Sequence, residues 1–329
     1  MDENNPHFSF IRLNRQLDQV IILYNPRAGA STQSKSIDNL VCALTDQGFD
    51  VSAFADVNEA RRVAELAEAQ NRLRTIVVAG GDGTATLAAN HFDPRIPLTL
   101  FPLGTENLLS KYLWLRQDAG MIAGVVREGL SAKLDAAEAN GNLFLIMASC
   151  GFDADVVHRL HRQRTGNITH LSYLKPIFNS LRNYRYPTLR IRCLDQSGDQ
   201  ESPISAKWAF CFNIPQYAMQ LPIVETANAT DGKLDICTFR RGNLLNGLIY
   251  FFGVLFRTHR RFRDTKVIQA EHVLIESDKQ VPYQIDGDPG GYLPLEIRAL
   301  RRRLNVLVPL AWANANGYSQ EANNELVST

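Results

Sequence analysis

The sequence predicts an α/β N-terminal domain built on a parallel sheet, followed by a β-rich antiparallel sandwich. Three observations predict it. Strand-like apolar runs alternate with amphipathic helical stretches through the first third of the chain. From about residue 133 that alternation gives way to short apolar runs separated by turn residues. The length, 329 residues, is comfortable for two domains and long for one small one. The expected division is 1–135, 136–312 and a polar tail, 313–329.

In order along the first domain, residues 19–24 (QVIILY) form a strand that stops at the turn residues Asn25-Pro26. Ser31 or Thr32 caps a helix with Ile37, Leu40, Val41 and Leu44 on one face, closed by Gly48. A second strand covers 50–55, and Asn58 caps a helix presenting Val63, Leu66 and Ala67. Thr75–Ala79 is a short buried strand, followed by a glycine-rich loop and a helix to Asn90. Leu98–Phe101 is another strand, with Leu103-Gly104-Thr105 leading into a further helix. Strand–helix alternation makes the strands parallel, and ligands of such sheets sit at the strands' carboxyl ends.

In the second domain Asn140-Gly141 lies between two apolar runs and signals a two-residue hairpin. Strands are expected at 188–194, 206–213, 233–239, 267–276, 281–285, 292–298 and 304–309. Helices are expected near 151–163, 170–183 and 243–256. The stretch before Gln19 and the tail after Trp312 are polar and expected to be loose.

Composition narrows the class. No run of about 18 apolar residues occurs, which argues against a transmembrane helix. The opening MDENNPHFSF is acidic where a signal peptide is basic and then apolar. Five scattered cysteines without C-x-x-C spacing suit reduced thiols in the cytoplasm. Net charge is +1, but residues 1–140 carry 13 Lys/Arg against 17 Asp/Glu while the rest carries 22 against 17. A basic second half favours an anionic membrane surface or is ordinary surface arginine. No nucleic-acid-binding signature is present, and nucleic acid is not an expected partner.

The strongest local signal is TIVVAGGDGTATLAAN. A strand ends, glycines permit close backbone approach, and a helix starts near Thr84, whose N-terminal N–H groups suit phosphate oxygens. Asp82 puts a carboxylate where the magnesium of a nucleotide would lie. The spacing matches neither the Gly-Lys-Ser/Thr phosphate loop nor G-x-G-x-x-G. Asn25-Pro26-Arg27-Ala28-Gly29 and Phe101-Pro102-Leu103-Gly104-Thr105-Glu106-Asn107 also follow strands, so all three loops share one sheet edge. In DGD (286–288), between VPYQI and YLPLEI, the plain reading is a hairpin turn; a turn can also present carboxylates to a substrate. DGKLDI (231–236) is a turn before a strand, offering hard oxygen ligands. The apolar run LLNGLIYFFGVLF followed by RTHRRFR either lies in a membrane interface or packs on the second domain. His158 and His161, at i, i+3, read as surface residues and not a metal site.

Taken together, NPRAG, GGDGT, PLGTEN, GFDADVV, DGKLDI and DGD resemble, in order and separation, the diacylglycerol kinase catalytic-domain family in its bacterial soluble lipid-kinase branch. The resemblance implies an NAD kinase/diacylglycerol kinase-like nucleotide domain, a β-sandwich lipid-substrate domain and a lipid site in the cleft between them. It implies ATP and Mg2+ as cofactors and a lipid as substrate. ATP contacts would come from Asn25, Pro26, Gly29, Asp56, Gly80, Gly81, Asp82, Gly83, Thr84, Ala85, Thr86, Thr105 and Asn107. Asp288 would be the general base, and Asp286 would support it or help hold a catalytic magnesium, to which Asp82 also belongs. A structural magnesium would be held by Asp231 with carbonyls of Asn228 and Lys233. The chain departs from the family in two places: Glu106-Asn107-Leu108 lacks an Asp that many members have, and Gln216-Tyr217-Ala218-Met219-Gln220 replaces a glycine run. Two other readings stay open: a kinase of a soluble substrate, since NAD kinases share the GGDG-type loop, and a nucleotide-binding regulator without turnover.

Overall fold

The computed structural model describes residues 8–26, 33–162, 184–194, 203–217 and 221–320. They belong to two units: Met1–Leu134 with Arg303–Thr329, and Asp135–Arg302.

The first unit runs β1 (Phe8–Arg12), β2 (Gln19–Tyr24), α1 (Gln33–Thr45), β3 (Asp50–Phe54), α2 (Val57–Ala69), β4 (Leu73–Gly80), α3 (Asp82–His91), β5 (Leu98–Pro102), α4 (Leu108–Tyr112) and α5 (Ala119–Glu128). Strands β3, β2, β4 and β5 lie side by side in that order, all parallel. All eight residues of β4 are buried, as expected of a central parallel strand covered on both faces. Small residues set the helices close to the sheet: α2 buries Ala60, Ala64 and Ala67, and α3 buries Ala85, Ala88 and Ala89. The carboxyl ends of four adjacent strands therefore open onto the loops at Asp56, Asn25, Gly81 and Leu103.

The chain passes to the second unit within β6 (Leu130–Ala139). There follow β7 (Asn142–Phe144), β8 (Met147–Cys150), α6 (Phe152–Arg162), β9 (Leu189–Leu194), β10 (Ile204–Ala206), β11 (Trp208–Phe212), β12 (Leu234–Phe239), α7 (Leu244–Leu255), β13 (Thr265–Ala270), β14 (His272–Glu276), β15 (Pro282–Ile285), β16 (Asp288–Tyr292) and β17 (Leu295–Leu307). One antiparallel sheet has the order β13-β12-β11-β8-β15-β16. The other aligns β10, β9, β14 and the first part of β17, also antiparallel. Alternate residues of the two sheets, such as Cys150, Cys211 and Ile236 against Ile191, Val273 and Ile297, make one apolar core. This is the expected sandwich. The end of β17 returns to the first unit, pairing Val306 with Leu98 of β5, and α8 (Leu310–Ala315) and β18 (Tyr318–Gln320) follow.

Several boundaries differ from expectation. Residues 303–312 group with the first unit, because the end of β17 extends its parallel sheet. The strands expected at 292–298 and 304–309 are one 13-residue strand. The strand expected at 267–276 is two, breaking at Glu271 and feeding different sheets. Neither end is wholly loose: β1 pairs antiparallel with β6 and parallel with β18, and Trp312 is buried, its indole N–H donating to the Tyr112 carbonyl. Asp56, not Asn58, caps α2, its Oδ1 accepting from the N–H groups of Asn58 and Glu59. The expected caps Ser31 and Thr32 and the helix expected at 170–183 lie outside the described residues.

Candidate active site

In the first unit, β4 ends at Gly80 and α3 starts at Asp82, with Gly81 as its N-cap. None of Gly80, Gly81 and Gly83 has a positive φ, so the turn itself does not demand glycine. Packing demands it at two of them. A Cβ on Gly80 would stand 2.4 Å from Thr84 Oγ1. A Cβ on Gly81 would stand 3.3 Å from the Gly104 Cα, and one on Gly104 would stand 2.7 Å from the Gly81 Cα. The two glycine loops thus lie backbone against backbone. Gly83 differs: no atom lies within 4 Å of where its Cβ would be. The space above it is open, beside first-turn N–H groups that the helix ladder leaves over.

Asp82 joins the loops. Its Oδ2 accepts from the Leu108 N–H at 2.9 Å and its Oδ1 from the Leu109 N–H at 3.0 Å, capping α4. Desolvation holds its carboxyl above the ordinary carboxylate range, and those two N–H groups offset only part of that rise. Each oxygen keeps a lone pair, so Asp82 can still meet a metal, but it is not a free carboxylate. Asn107 closes its own turn, with Oδ1 accepting from Gly104 N–H and Nδ2 donating to Gly104 O. Asn25 donates its backbone N–H to Ala79 O, placing it and Pro26 beside the end of β4. Thr84 and Ala85 are buried, Thr86 is half-buried and Thr105 is exposed. Asp56 stands at the same sheet edge, with one carboxylate oxygen committed to its cap. Gly29 lies outside the described residues.

In the second unit, DGD is a two-residue hairpin turn between β15 and β16, with Asp286 at φ 49° and Gly287 at φ 88°. That is the type I′ pattern for which Asp-Gly is favoured. Asp286 faces inward: Oδ2 accepts from Leu145 N–H at 2.9 Å, and Oδ1 accepts from Ile146 and Met147 N–H at 3.0 Å each. Three backbone donors on one carboxylate make it a fastener of the turn. Asp288 is the opposite case, with its side chain 69% exposed. The hairpin holds a fixed carboxylate on one side and offers an accessible one on the other.

DGKLDI is likewise a turn, with Gly232 at φ 76°. Asp231 Oδ1 accepts from the Lys233 N–H, and the Asn228 carbonyl faces the Asp231 N–H at 3.4 Å. Burial, with Asp235 and Asp135 nearby, raises the Asp231 carboxyl. Among the described residues no three His, Cys, Asp or Glu side chains cluster as ligands. The oxygens placed at the turn are the Asp231 carboxylate and the Asn228 carbonyl, hard donors of the kind a hydrated Mg2+ takes.

Two groups beside the DGD turn were not predicted from sequence. His161 on α6 places Nε2 3.2 Å from Asp288 Oδ1. His158, one turn earlier, is half-buried with Nε2 2.9 Å from the Tyr283 carbonyl, so neither histidine is a bare surface residue. Behind the turn, Asp153 accepts from Ser149 Oγ at 2.5 Å, from Gln284 Nε2 at 3.3 Å and from the Tyr217 hydroxyl. Gln284 carries the network onward, its Oε1 accepting from the Gly287 N–H at 2.8 Å. The motif GFDADVV and the segment replacing the glycine run thus meet through Asp153 and Tyr217. The signal in the sequence was faint: Asp153 lies between Phe152 and Ala154, both on the buried side of an amphipathic helix.

Comparison with known proteins agrees with this architecture. Residues 19–139 match the family model of the diacylglycerol kinase catalytic domain, and residues 146–308 match that of the YegS C-terminal NAD kinase beta sandwich-like domain. A diacylglycerol kinase of Staphylococcus carnosus is 25% identical over 295 residues, covering 88% of this chain and 94% of that protein. One from Bacillus subtilis is 23% identical over 298 residues, covering 88% and 95%. The crystal structure of a diacylglycerol kinase from Bacillus anthracis superposes with a TM-score of 0.64 at 19% identity, over 89% of this chain and 98% of that one; this likeness speaks to fold alone.

Proposed function

The chain belongs to the diacylglycerol kinase catalytic-domain family, whose members are phosphotransferases with an alcohol acceptor, and on that premise we propose that it moves the γ-phosphoryl group of ATP to a lipid hydroxyl with Mg2+. The acceptor is diacylglycerol or a sphingoid-like alcohol, met at the inner face of the membrane by a cytoplasmic enzyme.

One observation carries the reading. The hairpin fastened by Asp286 leaves Asp288 exposed at the start of β16, with a histidine nitrogen against it. Phosphoryl transfer asks little covalent chemistry of a protein; it needs positioning, charge stabilisation and a base for the acceptor hydroxyl. Asp288 takes the hydroxyl proton as the lipid oxygen attacks phosphorus and ADP departs. His161, with Nε2 3.2 Å from Asp288 Oδ1, holds the carboxylate in place. The phosphates lie over Gly83, against the first-turn N–H groups of α3, with Asn25 and Pro26 on one side and Thr105 and Asn107 on the other; Gly29, the further contact the resemblance implies, lies outside the described residues. Asp56 contributes a weaker contact.

When bound, magnesium supplies neutralisation of the phosphate oxygens. Asp82 would hold the catalytic ion, with Asp286 acting through the turn it fixes. Asn228, Asp231 and Lys233 would hold a structural ion.

Labelled ATP incubated with the protein and total lipid extract tests the reading. Label should appear in a lipid that mass spectrometry identifies as a phosphomonoester. Well-folded protein that labels only soluble alcohols, or nothing, refutes it.

A further inference from the structure

We propose that α7 and the arginines after it form a docking surface for an anionic lipid bilayer. The inner face of α7 is fixed. Gly247 lies where a Cβ would stand 3.4 Å from the Trp208 ring, and Gly253 where one would stand 2.5 Å from Phe262. Between them Tyr250 is buried, its hydroxyl donating to Asp264 Oδ2 at 2.7 Å and accepting from the Arg241 N–H. Residues 247, 250, 253 and 254 are therefore the buried stripe.

The outer face is apolar as well. Of the fourteen large hydrophobic side chains exposed among the described residues, eight lie within 244–256. Leu245 is 67% exposed and Phe256 69%, with Leu248, Ile249, Phe252 and Leu255 between them on the same face. A helix on a protein surface ordinarily turns polar residues outward, and one apolar all round has an apolar covering.

Charge says what the covering is. From residue 236 to residue 263 the chain has six arginines and no Asp or Glu. Arg257, Arg260, Arg261 and Arg263 follow the helix directly and are all exposed. Arg257 meets Glu225 at 2.9 Å, whereas among the described residues Arg260, Arg261 and Arg263 pair with no carboxylate. An apolar face rimmed by arginine matches acyl chains edged by anionic headgroups. A second copy of this chain fits less well, because face-to-face pairing would bring two arginine rims together. At twelve residues the helix is about 18 Å long, too short to cross a bilayer core of about 30 Å, so it lies in the interface plane. The surface needs the lipid-kinase reading only to explain why the enzyme visits a membrane.

Sedimentation of the full chain with vesicles tests this. One set is phosphatidylcholine alone; the other holds equal parts of phosphatidylcholine and phosphatidylglycerol. The protein should pellet with the anionic set and mostly stay in solution with the neutral one. Leu245→Asp with Phe252→Asp, and separately Arg260→Glu with Arg261→Glu, should each lower binding by about tenfold or more. Both double variants should keep the thermal unfolding midpoint and phosphorylate lipid in detergent micelles at the original rate. Vesicle binding unchanged by the Asp variants overturns the proposal. So does a dimer of the unaltered protein in solution that those variants dissociate, or equal binding to both vesicle sets. Lost vesicle binding with retained micellar turnover supports it. Intact vesicle binding with no turnover on any lipid leaves the docking surface standing and removes the kinase reading.

Discussion

Asp288 and Asp286 sit two residues apart, yet their surroundings give them opposite work. Asp286 has three backbone donors and is a fastener; Asp288 is solvent-facing with His161 beside it. If His161 orients the base, His161→Ala should lower kcat on the order of tenfold while leaving ATP affinity alone. It should also move the pH–rate profile, and His161→Gln should recover part of the rate; an unmoved profile would mean the histidine only packs. Asp153 is a second residue-scale test. Desolvation raises its carboxyl despite hydrogen bonds from Ser149, Tyr217 and Gln284. A raised carboxyl favours the folded state below the ordinary carboxylate range, and that contribution is lost as pH rises through the folded-state value. Asp153→Asn lacks this slope. Denaturant titrations should therefore find the substitution more destabilising at pH 4.5 than at pH 7, and the reverse order would contradict the assignment.

At the scale of elements, the glycine-rich loop divides into two functions. Gly104→Ala pushes a Cβ into the Gly81 backbone and Asn107 Oδ1 and should cost about 1–3 kcal/mol of stability. Gly83→Ala meets nothing and replaces glycine in a helix, so it should be neutral or stabilising by up to roughly 1 kcal/mol. Its effect should fall on nucleotide affinity instead, which calorimetry reads; unchanged ATP binding in Gly83→Ala would place the phosphates elsewhere. Much of this was legible in the sequence. The parallel strands announce themselves as apolar runs, and Asn140-Gly141 and Asp286-Gly287 carry the residue pairs that type I′ turns require. What local pattern could not show were contacts set by chain return. Glu271 divides one apolar stretch between two sheets, and the Gly81–Gly104 contact looks from sequence like turn chemistry. His161 looked like a surface residue because its partner, Asp288, comes far later in the chain.

For the whole molecule, the proposed reading gives the first unit the ATP phosphates, over the open space at Gly83, and gives the second the base, the exposed Asp288 of a fixed hairpin. Among the described residues no helix is long and apolar enough to cross a membrane; on the proposed reading, contact with a lipid acceptor falls to a surface such as α7. Chelation of magnesium should abolish transfer and readdition restore it; turnover that persists in chelator would remove the ion from the account. The most direct measurement pairs turnover with ATP binding in Asp288→Asn. The account predicts that lipid phosphorylation falls by about two to four orders of magnitude while calorimetric ATP affinity stays within about twofold. Turnover near that of the unaltered protein, or a collapse of ATP affinity in step with the rate, would contradict the role given to Asp288.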